Sequence, residues 1–341
     1  MALKPPNIFE NLEYYDVEIL KNKEWFQLLI DLQNIINEST MMFYKNKEIK
    51  MAFFPVTTGS ISSPSGKGSD SIPVKVNLLG KETYLVDSNQ FLLEFTCRLI
   101  SKGCYYIMPC FRGEICDRRH LSQFYHSECE IPGHLDDIMK LVEEYIRFIS
   151  KKIYDNYKIE LEKAIGDISH IKKLIDYQGA FKRITFDQAE DLLKKKDNKN
   201  LNDYIIYEDG YRILTDKGEK KLLELNNGII WITNYDVLSV PFYQKIKGKS
   251  ALNADLLLEF GGEVVGCGER HENYSNLLES LKFHEVNEKD YMWYSTMKKN
   301  HPLQTSGFGM GVERFLMWLL KCEDIRNLQI FLRMNGKSIN P

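Results

Sequence analysis

Two extended stretches of the sequence carry polar residues at alternate positions, and these residue types could bind a charged ligand. Arg112 and Glu114 end the first stretch, and Phe124, Glu128 and Glu130 follow in the second. Because side chains two residues apart in a strand point to the same face, the stretches predict a hairpin with these groups on one side. A guanidinium can pair with phosphate, an aromatic ring can stack on a base, and a carboxylate can bind an amine. Since unpaired buried charge is costly, this face indicates a ligand-binding surface.

Two more groups of residues point to the same chemistry. Asp255 and Glu263 lie on either side of a Gly-Gly turn, and Arg270 follows them. Carboxylates on neighbouring strands can hold Mg²⁺, although exposed strand ends are the ordinary explanation for such a pair. The glycine-rich turn in GFGMGVERF (307–315) runs into an apolar helix pattern, and a helix N-terminus favours anions. Arg314 in the first turn of that helix would oppose the helix dipole, so a bound phosphate and nucleotide chemistry are indicated.

These groups need a sheet to hold them, and the order of strands and helices predicts one. Strand-rich stretches interrupted by helices, without regular βαβ alternation, indicate an α+β fold with an antiparallel sheet. Ser88 is the expected N-cap of the helix that precedes the hairpin. The predicted elements are a helix from residue 25, a strand at 47–56 that ends at a proline, a hairpin turning at Gly80, helices at 88–100 and 134–154, a strand and helix within 181–196, a strand at 229–238, two strands within 254–270, and a last strand at 325–333.

Two segments lie outside this plan. Residues 57–73 are the most turn-rich part of the chain, which predicts either a surface loop, the more frequent case, or a mobile lid. A lid would offer Ser69, Asp70 and Ser71 to a ligand. Residues 155–230 are more polar and predict an inserted module.

The overall composition limits the classes of function. A length of 341 residues allows one large domain or two smaller ones, and a net charge of −3 shows no sign of the basic face typical of nucleic-acid binders. Seven cysteines without a CxxC pair argue against a zinc site or a disulfide scaffold, so Cys104, Cys110 and Cys116 are interpreted as buried thiols. The sequence has no signal-peptide pattern and no apolar run of membrane-spanning length, which makes the cytoplasm the expected location.

Three segments together resemble the motifs of the class II aminoacyl-tRNA synthetases. FRGE with RRHLSQF resembles motif 2, GFGMGVERF resembles motif 3, and KMAFFPV resembles motif 1, the strand of the dimer interface. The aspartyl/asparaginyl branch of the family has segments similar to DLLLEFGGEVVGCGER, WITNYD and PFYQK. The sequence spacing from Asp255 to Glu263 and the Trp293–Tyr294 pair favour the asparaginyl side of this branch. The resemblance covers about residues 23–335 and implies the antiparallel synthetase fold, ATP and Mg²⁺ as cofactors, and a homodimer.

The resemblance also implies a role for each matching residue. Arg112 would bind the α-phosphate and the reacting carboxylate, and Arg112 and Arg314 are the expected catalytic residues. Glu114 and Phe124 would hold the adenine, His120 and Arg314 would contact the outer phosphates, and Asp255 and Glu263 would hold Mg²⁺. In the substrate pocket, Glu128 would bind the amino group and Arg270 would bind the carboxylate that does not react. The rest of the substrate would contact Gln90, Ser69 and Asp70.

The reaction implied is ATP-dependent adenylation of a carboxylate. Relatives that charge tRNA carry an anticodon-binding domain, whereas here a coil (1–22) precedes the expected catalytic domain (23–335) and a short tail (336–341) follows it. The chain therefore resembles the archaeal-type, AMP-forming asparagine synthetases, in which ammonia converts activated aspartate to asparagine. This resemblance predicts a carboxylate–ammonia ligase that takes aspartate and ammonia, with no tRNA as a partner.

Several residues depart from the family pattern and leave other substrates open. Leu93 stands where aspartate-selective members carry a lysine, and Gln304–Ser306 replace Pro-His-Gly. Gln123 replaces a glutamate, and Leu332 replaces a proline. The alternative is a paralogue that adenylates another carboxylate, such as a peptide C-terminus or a specialised metabolite. A regulatory or tRNA-binding relic is disfavoured because the adenylation residues are all retained.

Overall fold

A large sheet organises the computed structural model, which describes residues 3–10, 12–63, 66–69 and 71–339. Its strands and those of three small sheets are β1 (Lys50–Met51), β2 (Thr57–Thr58), β3 (Lys75–Leu78), β4 (Lys81–Leu85), β5 (Cys104–Phe111), β6 (Gln123–Pro132), β7 (Arg183–Thr185), β8 (Ile205–Glu208), β9 (Tyr211–Leu214), β10 (Ile229–Thr233), β11 (Ile246–Lys247), β12 (Ser250–Ala251), β13 (Asn253–Leu258), β14 (Gly262–Glu269) and β15 (Thr305–Gly311). The large sheet has eight strands in the order β1-β5-β6-β15-β14-β13-β10-β7. Its outer pairs, β1/β5 and β10/β7, are parallel and the others antiparallel, which confirms the predicted α+β fold.

Helices pack on both faces of this sheet, and the longest of them cover one face. The helices are α1 (Tyr15–Lys21), α2 (Lys23–Lys45), α3 (Gln90–Thr96), α4 (Leu135–Ile165), α5 (Ser169–Ile175), α6 (Phe186–Asp197), α7 (Leu201–Tyr204), α8 (Asp216–Leu225), α9 (Tyr274–Phe283), α10 (Met292–Asn300) and α11 (Val312–Leu320). Apolar residues of α2, α4 and α11 form one core with alternate residues of the central strands. No helix among the described residues is long and apolar enough to cross a membrane.

The pleat of β6 separates this core from the opposite face of the sheet. Ser127 Oγ lies 2.9 Å from the Tyr145 hydroxyl of α4, so Ser127 points to the helices. Its neighbours in alternation, Glu128 and Glu130, therefore point to the other face, although both are buried. The predicted alternation of β6 is present, and the polar residues lie away from the main core.

Two predicted elements are shorter than the sequence pattern indicates. α3 begins at Gln90 with Asn89 at its N-cap rather than Ser88, because Ser88 Oγ donates a hydrogen bond to Glu128 Oε2 at 2.7 Å. The predicted strand at 47–56 contains only the two residues of β1 as regular strand.

Two other predictions near the C-terminal end are wrong. Residues 307–311 are part of β15 rather than a turn, and the glycine at 307 leaves room for Glu130, since a Cβ there would lie 1.7 Å from Glu130 Oε2. The predicted last strand is absent from the described residues. Ile325–Leu328 form a 3₁₀ turn, in which the Asn327 carbonyl accepts a hydrogen bond from Trp25 Nε1 at 2.9 Å.

The described part of the turn-rich segment 57–73 packs against the end of the hairpin formed by β3 and β4. Ser62 Oγ donates a hydrogen bond to Asp87 Oδ2 at 2.9 Å, and the Ser63 amide donates to the same oxygen at 2.5 Å. The hairpin itself turns at Gly80 as predicted. Closure of the segment as a lid stays a prediction.

The predicted module at 155–230 is joined to the large sheet. β7 pairs with β10 at the sheet edge, and α6, α8 and β8 surround a separate apolar cluster that includes Phe186, Leu193 and Leu222. The limits of the module and of the other predicted domains stay a prediction.

Candidate active site

Two adjoining cavities form one cleft above the β6, β14 and β15 strands. The inner cavity has a volume of about 330 Å³ and the outer one about 120 Å³, and Arg112, His126 and Glu263 line both. Gly266 and Gly309 also line both, and they are register partners on β14 and β15. A Cβ on either glycine would come within 3.0 Å of a carboxylate oxygen, so the paired glycines keep the floor of the cleft open.

The outer cavity brings together the residues predicted to hold a nucleotide. Arg112, Glu114, His120, Phe124 and Arg314 all line it. The Arg112 guanidinium carbon lies 5.3 Å from the centroid of the Phe124 ring. Arg112 Nε is buried and has no hydrogen-bond partner among the described residues. Because a buried donor without a partner costs about 1–3 kcal/mol, this atom indicates that a ligand acceptor such as a phosphate oxygen belongs there.

Two arginines lie close together at the far end of the outer cavity. Arg314, in the first turn of α11, donates a hydrogen bond from one terminal nitrogen to the Gly261 carbonyl at 3.0 Å. Burial lowers the pKa of Arg314, and the positive charge of Arg119 lowers it further. Arg119 is itself paired with Asp216 and Glu219, so Arg314 is the guanidinium at this end that suits an anion.

Asp255 and Glu263 lie side by side on the wall of the inner cavity. A Cβ on Gly266 would be 3.0 Å from Glu263 Oε1 and 3.6 Å from Asp255 Oδ1, so the two carboxylates are close neighbours. Burial raises the pKa of Asp255 well above its ordinary value, and the negative charge of Glu263 raises it further. A bound divalent cation would favour the ionised form of both carboxylates and so offset these effects. No group of three or more metal-binding side chains occurs in the described part of the chain, so Mg²⁺ here would need phosphate and water oxygens as further ligands.

Glu128 also lines the inner cavity, as does Gln90. Its carboxylate accepts hydrogen bonds from Ser88 Oγ at 2.7 Å and from the Tyr106 hydroxyl, and His126 Nδ1 lies 2.9 Å from its Oε1. Burial alone would raise the pKa of Glu128, but His126 and these hydrogen bonds hold that pKa below its ordinary value. Glu128 is therefore a negatively charged group that suits a substrate amine.

Arg270 does not line the cleft, in contrast to its predicted position. Its Nε and one terminal nitrogen donate to the fully buried Glu130 at 3.1 and 3.0 Å, and its other terminal nitrogen donates to Gln244 Oε1 at 3.1 Å. Gln244 lines the inner cavity in front of it. Gly268 makes this arrangement possible, because a Cβ there would lie 1.7 Å from Gln244 Oε1. The structure therefore presents the Gln244 amide to a ligand, with Arg270 behind it.

The substitutions thought to alter the substrate pocket also lie outside the cleft. Leu93 is buried in an apolar cluster with Cys104 and Tyr106. In the segment 304–306, Ser306 Oγ donates to a backbone carbonyl at 2.9 Å and is fully buried. None of these positions is among the residues that line the two cavities.

Sequence reasoning placed some cleft residues and missed others. Ser69 lines the inner cavity, and its contact with the substrate stays a prediction, whereas Asp70 lies outside the described residues. His126 was missed as a site residue, although its alternation with Phe124 and Glu128 was a usable signal. Glu219 of α8 also lines the inner cavity, and nothing in its local sequence indicates that position.

The chain matches known proteins over most of its length. The family described as tRNA synthetases class II (D, K and N) matches residues 11–335. The chain belongs to this family. It is 30% identical over 312 residues to a probable cytoplasmic asparagine–tRNA ligase of Enterocytozoon bieneusi, covering 90% of this chain and 65% of that protein. It is 32% identical over 265 residues to the asparagine–tRNA ligase of Pyrococcus abyssi, covering 76% of this chain and 58% of that protein.

Solved structures agree with the sequence matches. The asparaginyl-tRNA synthetase of Pyrococcus horikoshii, complexed with asparaginyl-adenylate, superposes with a TM-score of 0.85 at 26% identity over 96% of this chain and 73% of that chain. The chain therefore spans roughly three fifths of the two curated ligases and about three quarters of this structure. The predicted class II family and its asparaginyl side are confirmed. The finer choice of an ammonia-using asparagine synthetase has no support in these relatives, which are named as tRNA ligases.

Proposed function

We propose that this protein uses ATP to adenylate the carboxylate of asparagine and then passes the asparaginyl group to tRNA. The observation that carries the proposal is the single cleft, in which Arg112 lines both the outer part, with the residues suited to a nucleotide, and the inner part, with Glu128. The names of its class II relatives support the same reaction. We infer the cytoplasm as its location and a homodimer as its assembly on the same family grounds.

Adenylation needs the attacking carboxylate and the α-phosphate to be aligned and their negative charges neutralised. Arg112 lines both parts of the cleft and has a buried Nε without a partner among the described residues, so it suits contact with both groups. Arg314 and His120 suit the outer phosphates, while Glu114 and Phe124 suit the adenine. No protein nucleophile is needed, because the substrate carboxylate itself attacks phosphorus and pyrophosphate leaves.

Asp255 and Glu263 would hold Mg²⁺, which would neutralise phosphate charge. These two carboxylates are both directed at the space above Gly266, next to Arg112. Their part in the reaction is to keep the polyphosphate oriented towards the outer cavity.

The inner cavity supports asparagine rather than aspartate as the substrate. Glu128 suits the α-amino group, while the positive charge of Arg270 is balanced by Glu130. The wall in front of Arg270 is the neutral amide of Gln244. A neutral amide side chain can hydrogen-bond there without the cost of desolvating a second carboxylate.

An acceptor test separates this proposal from the alternatives. The protein is supplied with ATP, Mg²⁺ and either asparagine with unfractionated tRNA or aspartate with ammonium. We expect AMP and asparaginyl-tRNA in the first mixture. Asparagine and AMP from the second mixture, with no charged tRNA in the first, would instead establish the ammonia-using synthetase. AMP formation only with another acid would favour the paralogue with a different substrate.

A further inference from the structure

The inserted module contacts the loop between β5 and β6 at the phosphate end of the cleft. Arg119 of this loop pairs with two carboxylates in the first turn of α8. One terminal nitrogen lies 2.8 Å from Glu219 Oε2, and the other pairs with Asp216 Oδ1. The neighbouring Arg118 lies 3.5 Å from Asp216 Oδ2. Both terminal nitrogens of Arg119 are therefore bound within the protein.

This contact is better protected from water than the other ion pairs of α8. The side chains of Arg119 and Glu219 are 17% and 13% exposed, whereas Lys217 and Asp203 in a nearby pair are 68% and 55% exposed. Screening by solvent and salt is weaker for partly buried ion pairs. The Arg119–Glu219 pair is therefore the one that can hold the loop between β5 and β6 in a fixed position. Arg119 also lines the outer cavity and Glu219 the inner one.

The loop is built so that holding Arg119 also holds His120. Asp117 Oδ1 accepts hydrogen bonds from the backbone amides of Arg119 at 2.7 Å and of His120 at 2.8 Å. The same oxygen lies 3.0 Å from His120 Nδ1. One carboxylate therefore ties both residues into a single turn, and an anchor on Arg119 fixes where His120 stands.

We propose that Asp216 and Glu219 are positioning residues for ATP. They hold Arg119 as a tether, and through it they keep His120 over the phosphate end of the cleft. The inserted module thus completes the ATP site without contacting the nucleotide through Arg119. This inference rests on the proposed function, because it assigns the outer cavity to the phosphates of ATP.

The test is the affinity for ATP with Mg²⁺, measured by calorimetry, together with the KM for ATP and for the amino acid. In the double variant Asp216→Asn with Glu219→Gln, we expect ATP affinity to fall about tenfold. In Asp216→Asn alone, a position that does not line the inner cavity, the amino-acid KM should stay unchanged. Glu219→Asp should retain most of the affinity, because it keeps the charge. Asp203→Asn, which removes an exposed pair of the same module, is the matched control and should behave like the wild type.

A double-mutant cycle shows whether Arg119 acts as a tether for the loop or binds phosphate directly. Arg119→Met should weaken ATP binding as much as the carboxylate variants do, and combining it with Glu219→Gln should add nothing further. Unchanged ATP affinity in the carboxylate variants would overturn the inference. Tighter ATP binding would also overturn it, since the carboxylates would then compete with phosphate for Arg119. Wild-type protein that binds ATP but activates no amino acid would refute the proposed function alone.

Discussion

Replacing Gly307 by alanine tests how the buried pair of Glu130 and Arg270 is accommodated. A Cβ at this position would lie 1.7 Å from Glu130 Oε2 and 2.8 Å from the Cys129 carbonyl oxygen. Glu130 must therefore move, and Arg270, only 3% exposed, loses its carboxylate partner. Breaking a buried ion pair costs about 3–5 kcal/mol, so we expect the free energy of unfolding to fall by about that amount.

The assay is urea unfolding followed by circular dichroism, with the amino-acid KM measured in parallel. Gly59→Ala is the matched control, because a Cβ on Gly59 meets nothing within 4 Å. We expect the control to stay within about 1 kcal/mol of the wild type. In the Glu130→Ala background, Gly307→Ala should cost much less, because its main clash is gone. A Gly307→Ala protein as stable as the wild type would refute the packing described for this pair.

Three further predictions concern pH, specificity and assembly. Burial raises the pKa of Glu313 from 4.5 to about 7, so its neutral form stabilises the fold below about pH 4.5 and this contribution is lost as the pH rises through 7. Relative to Glu313→Gln, the wild type should lose up to about 3 kcal/mol of unfolding free energy between about pH 5 and pH 8, and equal pH profiles would contradict this. Gln244→Glu should raise the KM for asparagine about tenfold or more, because a carboxylate would face the substrate amide oxygen, while an unchanged KM would exclude Gln244 from the pocket. Light scattering should give about twice the 39.9 kDa chain mass, and a monomer would refute the homodimer.

The sequence allowed good predictions where local alternation decides side-chain direction. The residues of β6 follow this rule, and the Gly-Gly turn between β13 and β14 lies where its glycines indicate. Residues 307–311 were predicted as a turn, and not as part of a strand, because glycine is a poor strand former. In the structure, glycine is needed there because Glu128 and Glu130 cross from the neighbouring strand.

Other features of the site depend on contacts between distant segments. Arg270 was expected in the cleft, but Gln244 lies in front of it, and the two positions are separated by 26 residues. Glu219 enters the cleft from α8, 100 residues after Arg119. No local periodicity carries such information, because it arises only when the module packs on the sheet.

The central claim is that the cleft joins an amino acid to the α-phosphate of ATP. The most direct measurement is ATP–pyrophosphate exchange with asparagine, aspartate and no amino acid, in the absence of tRNA and ammonium. We expect exchange that depends on asparagine and falls by about 100-fold or more in Arg112→Met. Exchange with aspartate alone would contradict the choice of substrate. No exchange with any amino acid, from a protein that binds ATP, would contradict the account as a whole.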